Sequence, residues 1–380
     1  MIPYGRQLIE DDDIAAVVAT LKSDFLTQGP KIVEFEQAIC NYTGAKYCVA
    51  VSNGTAALHI AVAALDLPQG SEGITSTNTF TASANSMAFC NVKPVFADID
   101  PVSFNISPVS VESKITKKTR LLTPVHFAGQ PVEIEKLSGI AKSHGLRVIE
   151  DAAHAIGSSY RDGGKVGNCN FSDMTIFSFH PVKTITTAEG GAVTTNDPDL
   201  YQRLLFFRSH GITKDPAILE QNPGPWYYEM HELGFNYRIT DMQAALGITQ
   251  LKKLDRFCAC RREIVKTYNN EFKNLPWLKT PVEAEGVQSC FHLYVVQIDF
   301  NAIGKTRMEL MKELLSKGVG SQVHYIPVHT QPWYKKTYGY KLGDYPVAEK
   351  YYEKCLSLPL YPGMTDTDVK TVIAAIRECV

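Results

Sequence analysis

Lys183 lies in the stretch FSFHPVKTITTAEGGAVTTN (177–196), between two runs that read as strands, DMTIFSF and GGAVTTN. Desolvating an ammonium costs several kcal/mol, so a lysine at the end of a buried strand needs an ion-pair partner or a chemical task. Two other strand ends carry chemically active residues. Glu150 and Asp151 close the apolar run of RVIEDAAHA. Successive strand residues face opposite sides of a sheet, so one of the two acids serves each face. In VSNGTAALHI, Gly54, Thr55 and Ala56 open a helix directly after a strand. Free amides and the positive end of the helix dipole make such a turn an anion site. Each feature also has a plain reading: Asn53 or Thr55 as a helix cap, and the acids as a cap or a loop ion pair.

Taken together, an anion cradle, a strand-end carboxylate and a strand-end lysine match what pyridoxal 5′-phosphate requires. The lysine forms an imine with the aldehyde, the carboxylate pairs with the ring nitrogen, and the helix N-terminus holds the phosphate. Ser178 flanks the same strand end as Lys183. Phe80, in TNTFTASAN, either stacks on the ring or belongs to the core, and His154 either donates to a ligand oxygen or sits at the surface. The chain contains neither G-x-x-x-x-G-K-[ST] nor G-x-G-x-x-G, which argues against a dinucleotide-dependent oxidoreductase. No metal is expected: His231-Glu232 lacks a second histidine, and Cys258 and Cys260 lack a partner pair. Arg208 reads as a structural ion pair and Gly163-Gly164-Lys165 as an exposed turn.

The elements that must position these residues alternate along the chain. AKYCVAVS, KPVFADI, TRLLTPVHF and LRVIEDAA read as strands, interleaved with the helical patterns TAALHIAVAAL, ASANSMAF and EIEKLSGIAKSHG. Apolar strands alternating with helices predict a parallel sheet covered on both faces, an α/β fold. From Thr240 or Asp241, a helical period of about 30 residues predicts one long helix bridging two domains. Beyond it, FHLYVVQIDF alternates like a strand with one wet face, followed by helices in KTRMELMKELLSKG and DTDVKTVIAAIREC. We divide the chain into a large α/β domain, 1–245, and a smaller α+β domain, 246–380. With 380 residues, 44% apolar and 21% charged, and a net charge of −2, the composition is that of a globular protein. Without a basic face, nucleic acid is not an expected partner. No run approaches ~18 apolar residues, and the polar N-terminus is unlike a signal peptide, so neither a membrane span nor secretion is expected. Nine scattered cysteines fit reduced thiols in the cytoplasm.

The stretches SNGTAAL, EDAAHA, FSFHPVKTITTAEGGAVTTN and LGFNYRITDMQAALG resemble the DegT/DnrJ/EryC1/StrS sugar aminotransferases, of the fold type I pyridoxal-phosphate superfamily, over the whole chain. The resemblance implies a mainly parallel seven-stranded sheet in the large domain. It implies Lys183 as covalent anchor and proton shuttle, Asp151 on the ring nitrogen and His154 on the phenolic oxygen. Thr55, Ala56 and Ser178 would hold the phosphate and Phe80 would cover the ring. Asn236 would reach the phosphate of a neighbouring subunit, making a homodimer necessary for activity. IPYGRQ and VHYIPVHTQPWY carry a narrower likeness to the enzymes that aminate a UDP-linked 4-keto-6-deoxy-N-acetylhexosamine at C4, with L-glutamate as donor, in pseudaminic acid biosynthesis. Tyr4, Gln7, His324 and His329 are the candidate sugar contacts. Another nucleotide-linked ketosugar remains the alternative, with a non-catalytic binding protein of the same fold more remote.

Overall fold

The computed structural model describes residues 1–379. Seven strands form the main sheet: β1 (Tyr47–Val51), β2 (Glu72–Ser76), β3 (Lys93–Ala97), β4 (Thr119–Thr123), β5 (Arg147–Asp151), β6 (Met174–Ser178) and β7 (Gly191–Thr195). Their order is β1-β7-β6-β5-β4-β2-β3. All run parallel except β7, which is antiparallel to both β6 and β1. A parallel return needs a crossover element. Between β6 and β7 the chain makes only a compact turn, so β7 comes straight back, and Lys183 sits in that turn.

Side chains along each strand alternate between two apolar layers. Ala50, Leu122, Val148, Phe177 and Ala192 pack with the helices Pro30–Thr43, Ile134–His144 and Asp241–Lys252. Val49, Leu121, Ile149, Ile176 and Val193 pack against the helices Gly54–Ala64 and Pro198–Arg208. This split places Glu150 and Asp151 on opposite faces, as strand geometry demands. Two short strands, β8 (Ile212–Thr213) and β9 (Glu229–Met230), form a separate ribbon.

The second sheet is antiparallel, β10 (Leu278–Lys279), β11 (Tyr294–Ile298) and β12 (Cys355–Leu358), in that order. Here two expectations fail. β11 has no wet face: Tyr294, Val296 and Ile298 enter one apolar cluster, and Val295 enters another beneath Tyr351. The helix Pro346–Lys354 covers the side taken for solvent-facing. The long bridging helix is two helices, Asp241–Lys252 and Leu254–Phe272, broken at Lys253. Lys253 is buried and its ammonium meets Asp12, Asp13 (2.8 Å) and Glu10 (3.2 Å) from the start of the helix Asp11–Leu21. That interaction is tertiary, so the local period carries no sign of it. Thr240 is the N-cap, in a capping box with Gln243.

Glu150 is fully buried and saturated with donors. It accepts from His126 Nε2 (2.9 Å), Tyr160 Oη (2.6 Å), Ser172 Oγ (2.6 Å) and Thr175 Oγ1 (3.1 Å). His126 Nδ1 accepts the Val132 N–H at 3.1 Å, which leaves Nε2 as the protonated, donating nitrogen. Burial pushes the Glu150 carboxyl up, but the bonds from His126, Ser172 and Tyr160 outweigh it and hold the group below its ordinary range. Glu150 therefore stabilises the fold at neutral pH, and this contribution is lost as acid protonates it. Tyr160→Phe removes one donor from a buried charge, and we expect a loss of about 2 kcal/mol. Thermal unfolding at pH 7 measures it, and the wild-type advantage should shrink as the pH is lowered below the carboxylate range.

Candidate active site

A cavity of about 820 Å³ opens at the carboxyl ends of β5 and β6. It brings together Lys183, Asp151, His154, Ser178, Thr55, Ala56 and Phe80 from the large sheet's loops, and Tyr4 and His324 from elsewhere in the chain. The turn that carries Lys183 is pinned at its base. Phe179 N–H donates to Gly190 O (2.9 Å), Thr187 N–H to Phe179 O (3.0 Å), and Lys183 N–H to His180 O (2.9 Å). Phe179 and Ile185 sink into the core on either side. The lysine is thus presented by a rigid turn.

Burial lowers the Lys183 ammonium to about 8, while the negative charge of Asp151 opposes the shift. Asp151 is itself buried, and desolvation raises its carboxyl against the bonds from Ser83 Oγ (2.6 Å) and the Ala153 N–H (3.1 Å). Among the described residues Lys183 makes no ion pair, so the two groups face one cavity without closing on each other.

The turn after β1 meets the ends of β6 and β7 closely. A Cβ on Gly54 would lie 2.9 Å from Ser178 Cβ, and one on Gly191 2.5 Å from the Asn53 carbonyl oxygen. The glycines let the first turn of the helix Gly54–Ala64 reach Ser178. Asn53 caps that helix, its Oδ1 accepting the Ala56 N–H at 2.8 Å. Thr55 is exposed at the rim, and Phe80 is 59% exposed, which settles its side chain at the mouth and not in the core.

His154 is buried, and its Nδ1 accepts the Ala128 N–H at 3.3 Å. Its Nε2–H therefore donates to Tyr325 Oη, 3.0 Å away. Burial and the charge of Lys183 keep His154 neutral, and burial first, with the charge of Lys183 among the further causes, does the same for His292, whose ring is 4.4 Å from that of His154. Burial pushes His324 down to about 3, and its Nδ1 is hydrogen-bonded to Ser357 Oγ at 2.7 Å.

Three of the candidates lie elsewhere. His329 is buried away from the cavity, bonded to Thr77 Oγ1 (2.6 Å) and Glu349 Oε1 (3.0 Å). Gln7 lines a separate apolar groove with Ile9 and Val18. Asn236 is exposed, beside Tyr237, which does line the cavity. Arg208 pairs with Glu36 at 2.6 Å. The sequence reading passed over Ser83, Tyr237, His292 and Tyr325. Ser83 stands three residues beyond Phe80 and Tyr325 directly after His324, but nothing in the spacing marks a lone hydroxyl as site-facing.

This electrostatic arrangement has a measurable sign. In cofactor-free protein, labelling of Lys183 by an amine-selective reagent should rise with a midpoint near pH 8. Asp151→Asn removes the charge that opposes the shift, so the midpoint should move lower. Peptide mapping of the labelled lysine across pH reads both.

The chain matches the DegT/DnrJ/EryC1/StrS aminotransferase family over residues 7–377. It is 41% identical over 382 residues to the spore coat polysaccharide biosynthesis protein SpsC of Bacillus subtilis, covering all of this chain and 97% of SpsC. Among solved structures, PseC of Helicobacter pylori, an aminotransferase of pseudaminic acid biosynthesis, superposes with a TM-score of 0.92 at 31% identity, covering 100% and 98% of the two chains. The sugar aminotransferase Spr1654 of Streptococcus pneumoniae, in its PLP form, superposes with a TM-score of 0.90 at 29% identity, covering 100% and 99%. A whole-length family match, a shared fold and a strand-end lysine facing a buried carboxylate agree: the chain belongs to the DegT/DnrJ/EryC1/StrS aminotransferase family.

Proposed function

We propose that this aminotransferase uses pyridoxal 5′-phosphate to move the amino group of L-glutamate to C4 of a UDP-linked 4-keto-6-deoxy-N-acetylhexosamine, giving UDP-4-amino-4,6-dideoxy-N-acetyl-β-L-altrosamine. The observation that carries the reading is the pairing of Lys183, softened by burial, with Asp151 in one cavity. The residues fit the cofactor. Asp151 is a buried carboxylate, oriented by Ser83 Oγ and the Ala153 N–H and without an ion-pair partner among the described residues, so a protonated ring nitrogen would fit beside it. Ser178, Thr55 and the helix start at Gly54 form a cradle that a single added Cβ would crowd. When bound, the cofactor supplies an aldehyde that carries the amine and a ring that takes up electrons from the donor's Cα.

The remaining work falls to the chain. Lys183 anchors the cofactor, and once released it takes and returns a proton; an amine near pKa 8 suits that task at ambient pH. Asp151, oriented by Ser83 and Ala153, holds the ring nitrogen. Ser178 and Thr55 hold the phosphate. Phe80 covers the ring at the mouth. Ala56 borders this cradle, with its N–H already held by the Asn53 cap. Residues 1–245 act in this reading as the cofactor domain. Residues 246–380 form the second domain and contribute His292, His324 and Tyr325 to the cavity. Exposed Trp226, Tyr228, Met230 and Leu233, in the segment before Asn236, suit a homodimer in which Asn236 reaches the partner's phosphate. A cytoplasmic setting fits the nine free cysteines, and among the described residues no helix is long and apolar enough to cross a membrane.

A second reading keeps the chemistry and changes the sugar. Identity to SpsC exceeds that to PseC, which favours a ketosugar bound for a polysaccharide.

Lys183→Ala should abolish turnover and the visible absorbance of the bound cofactor, leaving the fold intact. Turnover at the wild-type rate in that variant removes the assignment. Purified enzyme given glutamate and a panel of UDP- and dTDP-linked ketosugars should aminate the UDP-4-keto-6-deoxy-N-acetylhexosamine with the highest kcat/KM. Product stereochemistry by NMR decides between the two sugars.

A further inference from the structure

Tyr325 stands between the two histidines of VHYIPVH and lines the cavity beside Lys183 and Asp151. Its hydroxyl oxygen accepts the His154 Nε2–H at 3.0 Å. The direction of that bond is fixed from behind, because His154 Nδ1 is occupied by the Ala128 N–H. A phenol oxygen that accepts from a histidine still has its own proton to give. Among the described residues no acceptor takes it. The ring is held by the edge of Phe127, with centroids 6.2 Å apart, and by the face of His154, at 6.0 Å. Burial and the negative charge of Asp151 push the phenol well up, so it stays protonated.

We propose that Tyr325 donates its O–H to an oxygen of the bound reactants at the reacting end of the cavity, with His154 as the positioning residue that aims it. This rests on the cofactor reading above. The resemblance alone would give such a bond to His154 directly; in this chain the Nε2–H is already engaged. One chemistry, phenol O–H to oxygen, has two sources here: the ring oxygen of the cofactor or an oxygen of the ketosugar.

The test uses the holoenzyme, with Tyr325→Phe, which deletes only the hydroxyl. Cofactor content and the thermal midpoint should match the wild type. If the acceptor is the cofactor's oxygen, the lost donor disfavours its anionic form, and the absorbance transition of the bound cofactor moves up by about one pH unit without substrate. If the acceptor is on the sugar, that titration and the glutamate half-reaction stay unchanged, while kcat/KM for the ketosugar falls by about tenfold. The positioning claim predicts that Tyr325→Phe adds little in a His154→Ala background. Additive losses overturn it. An unchanged titration together with an unchanged sugar half-reaction overturns the donor role. A wild-type protein that takes up no cofactor overturns the cofactor reading instead, so the two failures are told apart.

Discussion

The structure depends on keeping a buried carboxylate and a half-buried ammonium close without letting them meet. Asp151 ends β5, and Lys183 follows the adjacent strand β6 in the turn that reverses the chain. In a low-dielectric pocket their attraction is strong, and collapse into an ion pair would occupy both groups. Two restraints prevent it. Asp151 is held by Ser83 and Ala153, and Lys183 rides on a turn stapled to Phe179 and Gly190. The partial compensation that remains is functional: each group keeps a shifted pKa because the other does not neutralise it fully.

The same strand end carries the opposite solution on its other face. Glu150 is saturated by four donors and has no free valence for a ligand. A slip of β5 by one residue would turn each acid to the opposite face of the sheet. Asp151 would then leave the cavity's face, and Glu150 would lose the donors that surround it. The Glu150 network therefore locks the register on which the site depends, although it touches nothing that reacts.

Much of this was legible in the sequence because it is local. Strands β1 and β3 to β7 and the helices that follow β1 and β4 fall where apolar runs and helical periods put them, while β2, with Glu72, Gly73 and Thr75 among its five residues, carries no apolar run and does not read as a strand. Lys183, Asp151, Ser178 and Thr55 stand out because polar residues at the ends of apolar strands are unusual. What was not legible depends on distant contacts. The break at Lys253 is set by acids 240 residues earlier, and the covered face of β11 by a helix that follows it by 50 residues. His329 carried the right residue type and the wrong direction: its partners are Thr77, 252 residues away, and Glu349, on the helix Pro346–Lys354. Tyr325 and Ser83 were invisible for the converse reason, since a single tyrosine or serine carries no spacing to read.

The histidines of the cavity explain how Lys183 is tuned. His154, His292 and His324 all lie near it, and a cluster of imidazolium ions would lower its pKa by repulsion. Each is instead held neutral, by burial first and by the charge of Lys183 among the further causes. The shift in Lys183 therefore comes from desolvation, with Asp151 as the opposing influence. Desolvation is a property of the enclosure, and His292, His324 and Tyr325, all from beyond residue 246, supply part of its wall. The later part of the chain thus acts on the amine by walling the space in which it must lose and regain a proton.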